Sequence, residues 1–180
     1  MIGRFQTEDK TLKISCSLLA AAIVLLPASA FAEEIRVEGV RMSRDFACDG
    51  QDVVISGQGN MVELKGRCGM VKVIGVDHKV SFDDAQGLIV SGMSNVATGG
   101  VVASLSVEVT QNVVKATLKP VEGSAEVAVS GADQKVDLVV AGPTKVTVEG
   151  SANVLSWTSE AGVKAPTIST SGIDNRVTRR

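Results

Sequence analysis

The sequence is poor in aromatic residues, with four Phe, one Trp and no Tyr. Its apolar residues are therefore mostly Val, Ala, Leu and Ile, and β-branched side chains favour a pleated, half-buried strand. Proline occurs only four times and glycine 18 times. This balance indicates many tight corners in a chain that is otherwise regular.

The chain also lacks an excess of charge of either sign, because 18 Lys and Arg stand against 20 Asp and Glu. A nucleic-acid surface needs a basic stripe to neutralise phosphates, so nucleic acid is excluded as a partner. No CxxC cluster, HExxH motif, Gly-rich phosphate loop or GxSxG motif is present. We therefore predict no cofactor, no metal site and no catalytic residue.

The first 32 residues have the order of a secretory signal peptide. Arg4, Lys10 and Lys13 precede an apolar run over 14–26, and the small residues of 28–32 follow. The run is shorter than the roughly 20 apolar residues that a spanning helix needs. We predict a signal peptide at 1–32, a single all-β repeat domain at 33–180, and a periplasmic or secreted protein that does not span the membrane after cleavage.

Two of the three cysteines, Cys48 and Cys68, lie in the predicted mature chain. A cysteine pair in an exported protein usually forms a disulfide. This bridge would close a loop of about 20 residues and stabilise the fold by about 3 kcal/mol. We predict it as a staple between the first two repeats.

A unit of 17–22 residues recurs from about residue 53 to the C-terminus. It centres on a corner glycine, and apolar residues stand four and two positions before it and five and seven after it. A partial copy, Ile35-x-Val37-x-Gly39, precedes the full ones. We align the middle copy on Gln111, where glycine is missing. The predicted corner residues are Gly57, Gly75, Gly92, Gly131, Gly150 and Gly172.

Three residues after each corner stands a polar residue, usually an amide. Asn tolerates the left-handed backbone and bonds neighbouring main chain, so stacked copies would form a polar ladder along one corner. The middle copy has Val114 at this position in our alignment. The predicted ladder consists of Asn60, His78, Asn95, Gln134, Asn153 and Asn175.

The repeat favours a parallel β-solenoid, or β-helix, of seven to eight coils of about 19 residues. The alternative is an antiparallel β-sandwich or barrel in which each unit is a hairpin. None of the two-residue loops after the corners is of the Asn-Gly class that tight hairpins prefer. A solenoid would place Val73 beside Ile55 and Val90, whereas a hairpin would place it opposite Val80.

Three polar or aromatic features invite a functional interpretation. His78 is the only histidine, and its place in the ladder predicts a substitute for Asn. Asp83-Asp84 falls between two strands, and we weigh it as a weak calcium site or as the acid pair of a glycan-cleaving enzyme. Trp157 stands where other copies have Leu or Phe, which predicts a core residue.

The units Val53-x-Ile55-x-Gly57-x-x-Asn60-x-Val62 and Gly172-x-x-Asn175-x-Val177, with Gly66-x-Cys68, resemble a bacterial exported family catalogued as domain of unknown function 3060 (DUF3060). The resemblance covers roughly residues 35–178. It implies an envelope or secreted location and an all-β repeat fold, and it implies no activity.

Taken together, these features predict an exported, non-catalytic β-repeat protein whose outward rows of Ser, Thr, Lys and Glu form a scaffold or binding surface. Its partner would be an envelope protein or a polysaccharide. The alternatives are a small carbohydrate-active enzyme on a β-helix and a subunit of a fibrous assembly stacked end to end.

Overall fold

The computed structural model describes residues 34–180, and the predicted signal peptide lies outside this range. The described residues form thirteen β-strands and no helix. The strands are β1 (Ile35–Val40), β2 (Ser43–Asp49), β3 (Val53–Gln58), β4 (Met61–Val76), β5 (Lys79–Met93), β6 (Val96–Thr110), β7 (Val113–Leu118), β8 (Ala125–Val129), β9 (Lys135–Val140), β10 (Thr144–Val148), β11 (Val154–Ser159), β12 (Thr167–Thr170) and β13 (Arg176–Arg179).

Every strand pair is parallel, and like positions of successive repeats lie side by side. Val73 is paired with Ile55 on one side and with Val90 on the other. The chain is therefore a parallel β-solenoid of about eight coils, which confirms the predicted fold. The antiparallel sandwich or barrel is wrong. With a rise of about 4.8 Å per coil, the solenoid is roughly 38 Å long.

Each coil has two strand segments, one before the corner and one after it. The segments before the corner form the first face, which consists of β1, β3, the C-terminal parts of β4, β5 and β6, and then β8, β10 and β12. The segments after it form the second face, which consists of β2, the N-terminal parts of β4, β5 and β6, and then β7, β9, β11 and β13. The long strands β4, β5 and β6 therefore belong to both faces.

The core lies between these segments and consists of stacked apolar rows. Alternation along a strand sends every second side chain inward, so Val-rich segments with polar residues between them bury one row and expose the other. Ile55, Leu88 and Leu138 are fully buried. Gly99 stands in the row of the bulky Phe82, and a Cβ at Gly99 would lie 2.4 Å from the Phe82 ring. A small residue in one coil therefore accommodates the large one in its neighbour.

The middle coil departs from our sequence alignment by two residues. Val109, and not Gln111, pairs with the corner Gly92 and lies directly beneath Gly131. The inward residues of this coil before the corner are consequently Leu105 and Val107. Aligning on glycine failed here because the corner of this coil contains a valine.

Candidate binding surface

The corner between the two faces has the same backbone in every coil. The corner residue has a positive φ, between 78° at Val109 and 145° at Gly39. The residue two positions later also has a positive φ, and this position is occupied by Arg41, Gly59, Asp77, Ser94, Gln111, Asp133, Ala152 and Asp174. Gln111 belongs to this second set, which explains why it mimicked a corner residue in the sequence.

Glycine is favoured at the corner by close backbone contact as well as by φ, and Val109 is the exception among the described coils. A Cβ at Gly150 would lie 2.0 Å from the carbonyl oxygen of Gly131, and the same distance separates Gly92 from the Gly75 oxygen. These contacts involve main chain, which cannot move aside as a flexible side chain can. The predicted corner glycines Gly57, Gly75, Gly92, Gly131, Gly150 and Gly172 all occupy this position.

The predicted polar ladder residues lie in one column inside this corner. Each side chain accepts a hydrogen bond from the backbone N–H of the ladder residue in the preceding coil, as Asn153 does from Gln134 at 3.0 Å. The Asn153 amide nitrogen donates to the carbonyl oxygens of Glu149, in its own coil, and Gly131, in the coil before. Asn60, His78, Asn95, Gln134 and Asn153 are fully buried, and Asn175 in the last coil is partly exposed.

A seventh member of the ladder, Asn112, was missed by the sequence alignment. It is fully buried, accepts from the Asn95 N–H at 2.9 Å, and donates to the oxygens of Glu108 and Gly92. Val114, which we had placed here, is instead a core residue. An alignment on the amides rather than on the glycines would have found Asn112, because it keeps the spacing to Asn95 and Gln134 within 17–22 residues.

The two ring nitrogens of His78 replace the two polar atoms of an amide side chain. Nδ1 accepts a hydrogen bond as the amide oxygen does, and Nε2 donates one as the amide nitrogen does. The Asn60 N–H donates to Nδ1 at 3.1 Å, and Nε2 lies 3.2 Å from the Ile74 carbonyl oxygen. Nδ1 must therefore be unprotonated, and Nε2 carries the proton that it donates. Burial lowers the pKa of His78, against the opposing effects of the Ile74 and Gly57 carbonyls and of Asp77. The ring is neutral and structural in this arrangement.

The Cys48–Cys68 disulfide is present and links the first coil to the second, with the two Cα atoms 4.8 Å apart. Both cysteines are buried, and the row of Cys68 continues with Ala85 and Val102 in the next coils. The bridge therefore takes the place of an apolar contact between the first coils.

The acidic pair Asp83-Asp84 is engaged with the backbone of neighbouring coils. Asp83 accepts from the Gly66 N–H at 2.9 Å, and Asp84 accepts from the Val101 N–H at 3.3 Å. These bonds lie at the bends where β4, β5 and β6 change from one face to the other. Within residues 34–180, no group of three or more His, Cys, Asp and Glu side chains could hold a metal ion.

The two ends of the solenoid carry arginine at inward positions. Arg44 pairs with the core residue Val62, and Arg179 pairs with Trp157. Trp157 is buried, as predicted, and the Arg179 guanidinium lies 5.3 Å from the centre of its ring. Both arginines are exposed because no described coil lies beyond them.

The second face carries a row of apolar and basic residues along its outer surface, parallel to the solenoid axis. Its members follow one another in register and are Met61, Lys79, Val96, Val113, Lys135, Val154 and Arg176. The adjacent outward row is Glu63, Ser81, Thr98, Lys115, Asp137, Ser156 and Thr178. Hollows of about 410, 400 and 270 Å³ lie along these two rows. We call this surface the axial groove.

A larger cleft of about 690 Å³ lies at the opposite side of the last coils. Its walls come from the segments between the second and first faces, including Pro143, Val163 and Ala165, with Lys145 and Lys164 at its edge. These segments vary in length from coil to coil, so the cleft does not follow the repeat.

Comparison with known proteins identifies one family. Residues 55–101 match the model of a family described as "Protein of unknown function (DUF3060)", which confirms the family resemblance over this segment. No curated protein and no solved structure gives a match. In the part of the chain that the structure describes, no helix has the length and apolar character to cross a membrane.

Proposed function

We propose that this chain, whose residues 55–101 match a family of unknown function, is an exported, non-catalytic scaffold that binds an elongated partner along the axial groove. The observation that carries this proposal is the register of the two outward rows, which stays unbroken from Met61 to Arg176. A solenoid converts one outward position of its repeat into a continuous stripe, and such stripes are extended binding surfaces.

The interior of the solenoid supports a structural rather than a chemical role for the polar residues that lie in it. The ladder amides and His78 are committed to backbone groups. Asp83, which is exposed, and Asp84, which is partly exposed, each accept a backbone N–H through one carboxylate oxygen. A catalytic acid or base must have its reacting atoms free to reach the substrate. The outward rows are the surface that is available to a partner.

The axial groove has the composition of a binding surface. Its apolar members include Met61, exposed by 54%, and Val154, exposed by 39%. Lys79 and Lys135 separate Met61 and Val154 from the adjacent pair Val96 and Val113, so the row offers a partner both apolar contact and positive charge. Ser81, Thr98 and Ser156 in the adjacent row supply hydroxyl groups that can both donate and accept hydrogen bonds.

Binding and product formation should be measured together on a panel of soluble glycans and extended peptides, with the full chain. We expect binding without cleavage, and we expect Val113→Asp to weaken it because a carboxylate then replaces one of the two adjacent valines of the groove. Ile89→Asp is the matched control, since Ile89 is an outward residue of the first face. Cleavage products, or a loss with Ile89→Asp but not with Val113→Asp, would contradict the proposal.

A further inference from the structure

We propose that the occupant of the axial groove is a linear anionic polysaccharide, of the class whose repeat carries a carboxylate, lying parallel to the solenoid axis. This inference rests on the proposed function and specifies the partner of the same surface. It follows from the charge of the two faces, from the side chains of the groove, and from the fact that the backbone N–H and C=O groups beneath the groove are already paired between coils.

The two faces differ in charge over the later coils. In these coils the groove carries Lys115, Lys135 and Arg176, against Asp133 and Asp137. Its first coils carry Lys79 against Asp45 and Glu63. Asp137 is contacted by the Arg180 guanidinium, which reduces its repulsion of an anion. The later coils of the first face carry Glu108, Glu126 and Glu149, with Lys145 as their basic residue. A polyanion is therefore attracted to these coils of the second face and repelled from the same coils of the first.

The groove lysines are free to bind a ligand. Lys79, Lys115 and Lys135 form no ion pair with another residue of the range 34–180. Lys115 and Lys135 lie in adjacent coils, and Lys79 and Lys135 are three coils apart, about 14 Å along the axis. These ammonium groups lie on two adjacent rows that run along the axis, and a polymer whose charges recur along a line can contact several of them.

The remaining groove chemistry suits a sugar chain better than an acidic peptide. An extended peptide gains affinity by adding a strand to an open sheet edge, whereas the groove lies on the face of the sheet, where backbone groups are already paired between coils. The hydroxyls of Ser81, Thr98 and Ser156 can exchange hydrogen bonds with sugar hydroxyls, and the valines between them can contact apolar ring edges. No aromatic residue lines the hollows, so stacking on a neutral sugar is not available there.

The test uses polygalacturonate as the polyanion, dextran as a neutral glycan and poly-glutamate as an acidic peptide, each titrated against the full chain by calorimetry. We expect binding of polygalacturonate that weakens as salt is raised, because exposed charges are screened. Lys115→Gln with Lys135→Gln should weaken it by roughly tenfold, the scale expected when two charge contacts to a polyanion are lost.

Lys72→Gln with Lys145→Gln is the matched control, because it removes the same charge from the first face. This pair should change the affinity less than twofold. Equal losses in the two pairs would overturn the assignment to the groove. Tighter binding of poly-glutamate than of polygalacturonate would overturn the ligand class in favour of a protein partner.

The outcomes also separate this inference from the broader proposal. Dextran bound as tightly as polygalacturonate, with loss of both on Val113→Asp, would overturn the anionic ligand and leave the binding scaffold standing. Failure of polygalacturonate, dextran, poly-glutamate and the whole glycan and peptide panel to bind would overturn both. Retained circular dichroism of each variant shows that a loss of binding is not a loss of folding.

Discussion

At the scale of the residue, one amide satisfies backbone groups of two coils. The Asn153 side chain accepts one N–H and donates to two carbonyl oxygens that would otherwise be buried without partners, whereas Gln134 and His78 each bond one carbonyl oxygen. An unpaired buried polar group costs about 1–3 kcal/mol. Removing a ladder side chain is therefore costly mainly because it leaves backbone groups unpaired, and less because packing contacts are lost. This explains why every coil but the first has Asn, Gln or His at this position.

Asn153→Ala should lower the free energy of unfolding by about 2–4 kcal/mol, because the N–H of Gln134 and two carbonyl oxygens lose their partner in the interior. Asn175→Ala is the control, since Asn175 bonds the equivalent groups in the partly exposed last coil, where water can replace it. The free energy of unfolding of Asn175→Ala should fall by only about 1 kcal/mol. Urea unfolding measures both, and equal losses would contradict a burial-dependent role.

His78 should make stability depend on pH. Burial lowers its pKa below 6.5, so the unfolded chain binds the proton more readily than the folded chain does. The free energy of unfolding is therefore highest above the unfolded pKa of 6.5 and falls as the pH is lowered through that value towards the folded pKa. Protonated Nδ1 would also face the Asn60 N–H, its present donor.

Thermal unfolding measured from pH 8 to pH 5 checks this dependence. In His78→Asn, the fall between pH 6.5 and 5 should be smaller, because the amide does not titrate and other coils already accommodate Asn there. Identical pH profiles for the two proteins would show that other groups cause the dependence.

At the scale of the element, the corner is built from two positive-φ residues and a close main-chain contact. Gly150 and Gly162 both have positive φ, at 105° and 82°, but only the Cβ of a residue at 150 would meet another atom. Substitutions at these two positions therefore test two effects separately. One is the positive φ that glycine tolerates, and the other is the contact that a Cβ would make with the neighbouring coil.

Gly150→Ala should cost about 3 kcal/mol or more, because its Cβ would overlap the Gly131 carbonyl oxygen and separate two coils. Gly162→Ala should cost only about 1 kcal/mol, since its Cβ would lie in open space and only the left-handed backbone is unfavourable. Denaturant unfolding of the two variants gives the comparison. Similar losses would mean that φ alone requires glycine at the corner.

At the scale of the whole molecule, the solenoid has two ends where a second copy could continue the sheets. In an end-to-end stack, Arg44 and Arg179 would enter the apolar core at the junction. Burying an ion costs several kcal/mol, so inward-pointing charged residues at an open sheet edge disfavour association with a second copy. Met42 further interrupts the ladder, because it stands at the ladder position of the first coil without an amide.

The chain should therefore be monomeric in sedimentation over a wide concentration range. Arg44→Val with Arg179→Leu removes the buried-charge penalty and should give concentration-dependent association. Arg36→Val with Arg176→Val, which removes outward arginines from the same two coils, should leave the chain monomeric. Association of the unchanged protein would favour the fibrous assembly over the single scaffold.

Much of this architecture could be predicted because its repeat is local. Alternation of Val with polar residues, glycine at the corner and an amide three residues later each occur within about twelve residues. The sequence by itself therefore favoured the parallel solenoid, and the pairing of Val73 with Ile55 and Val90 excluded the hairpin fold. The disulfide partners were also predictable, because only two cysteines follow the predicted signal peptide.

The tertiary structure alone decided the register of the middle coil and the surface that is open to a partner. Val109 adopts a positive φ that its side chain disfavours, and only pairing with the coils on either side reveals it as the corner. The axial groove, likewise, joins residues that are 17–22 positions apart in the chain. Contact between coils creates it, and no single repeat contains it.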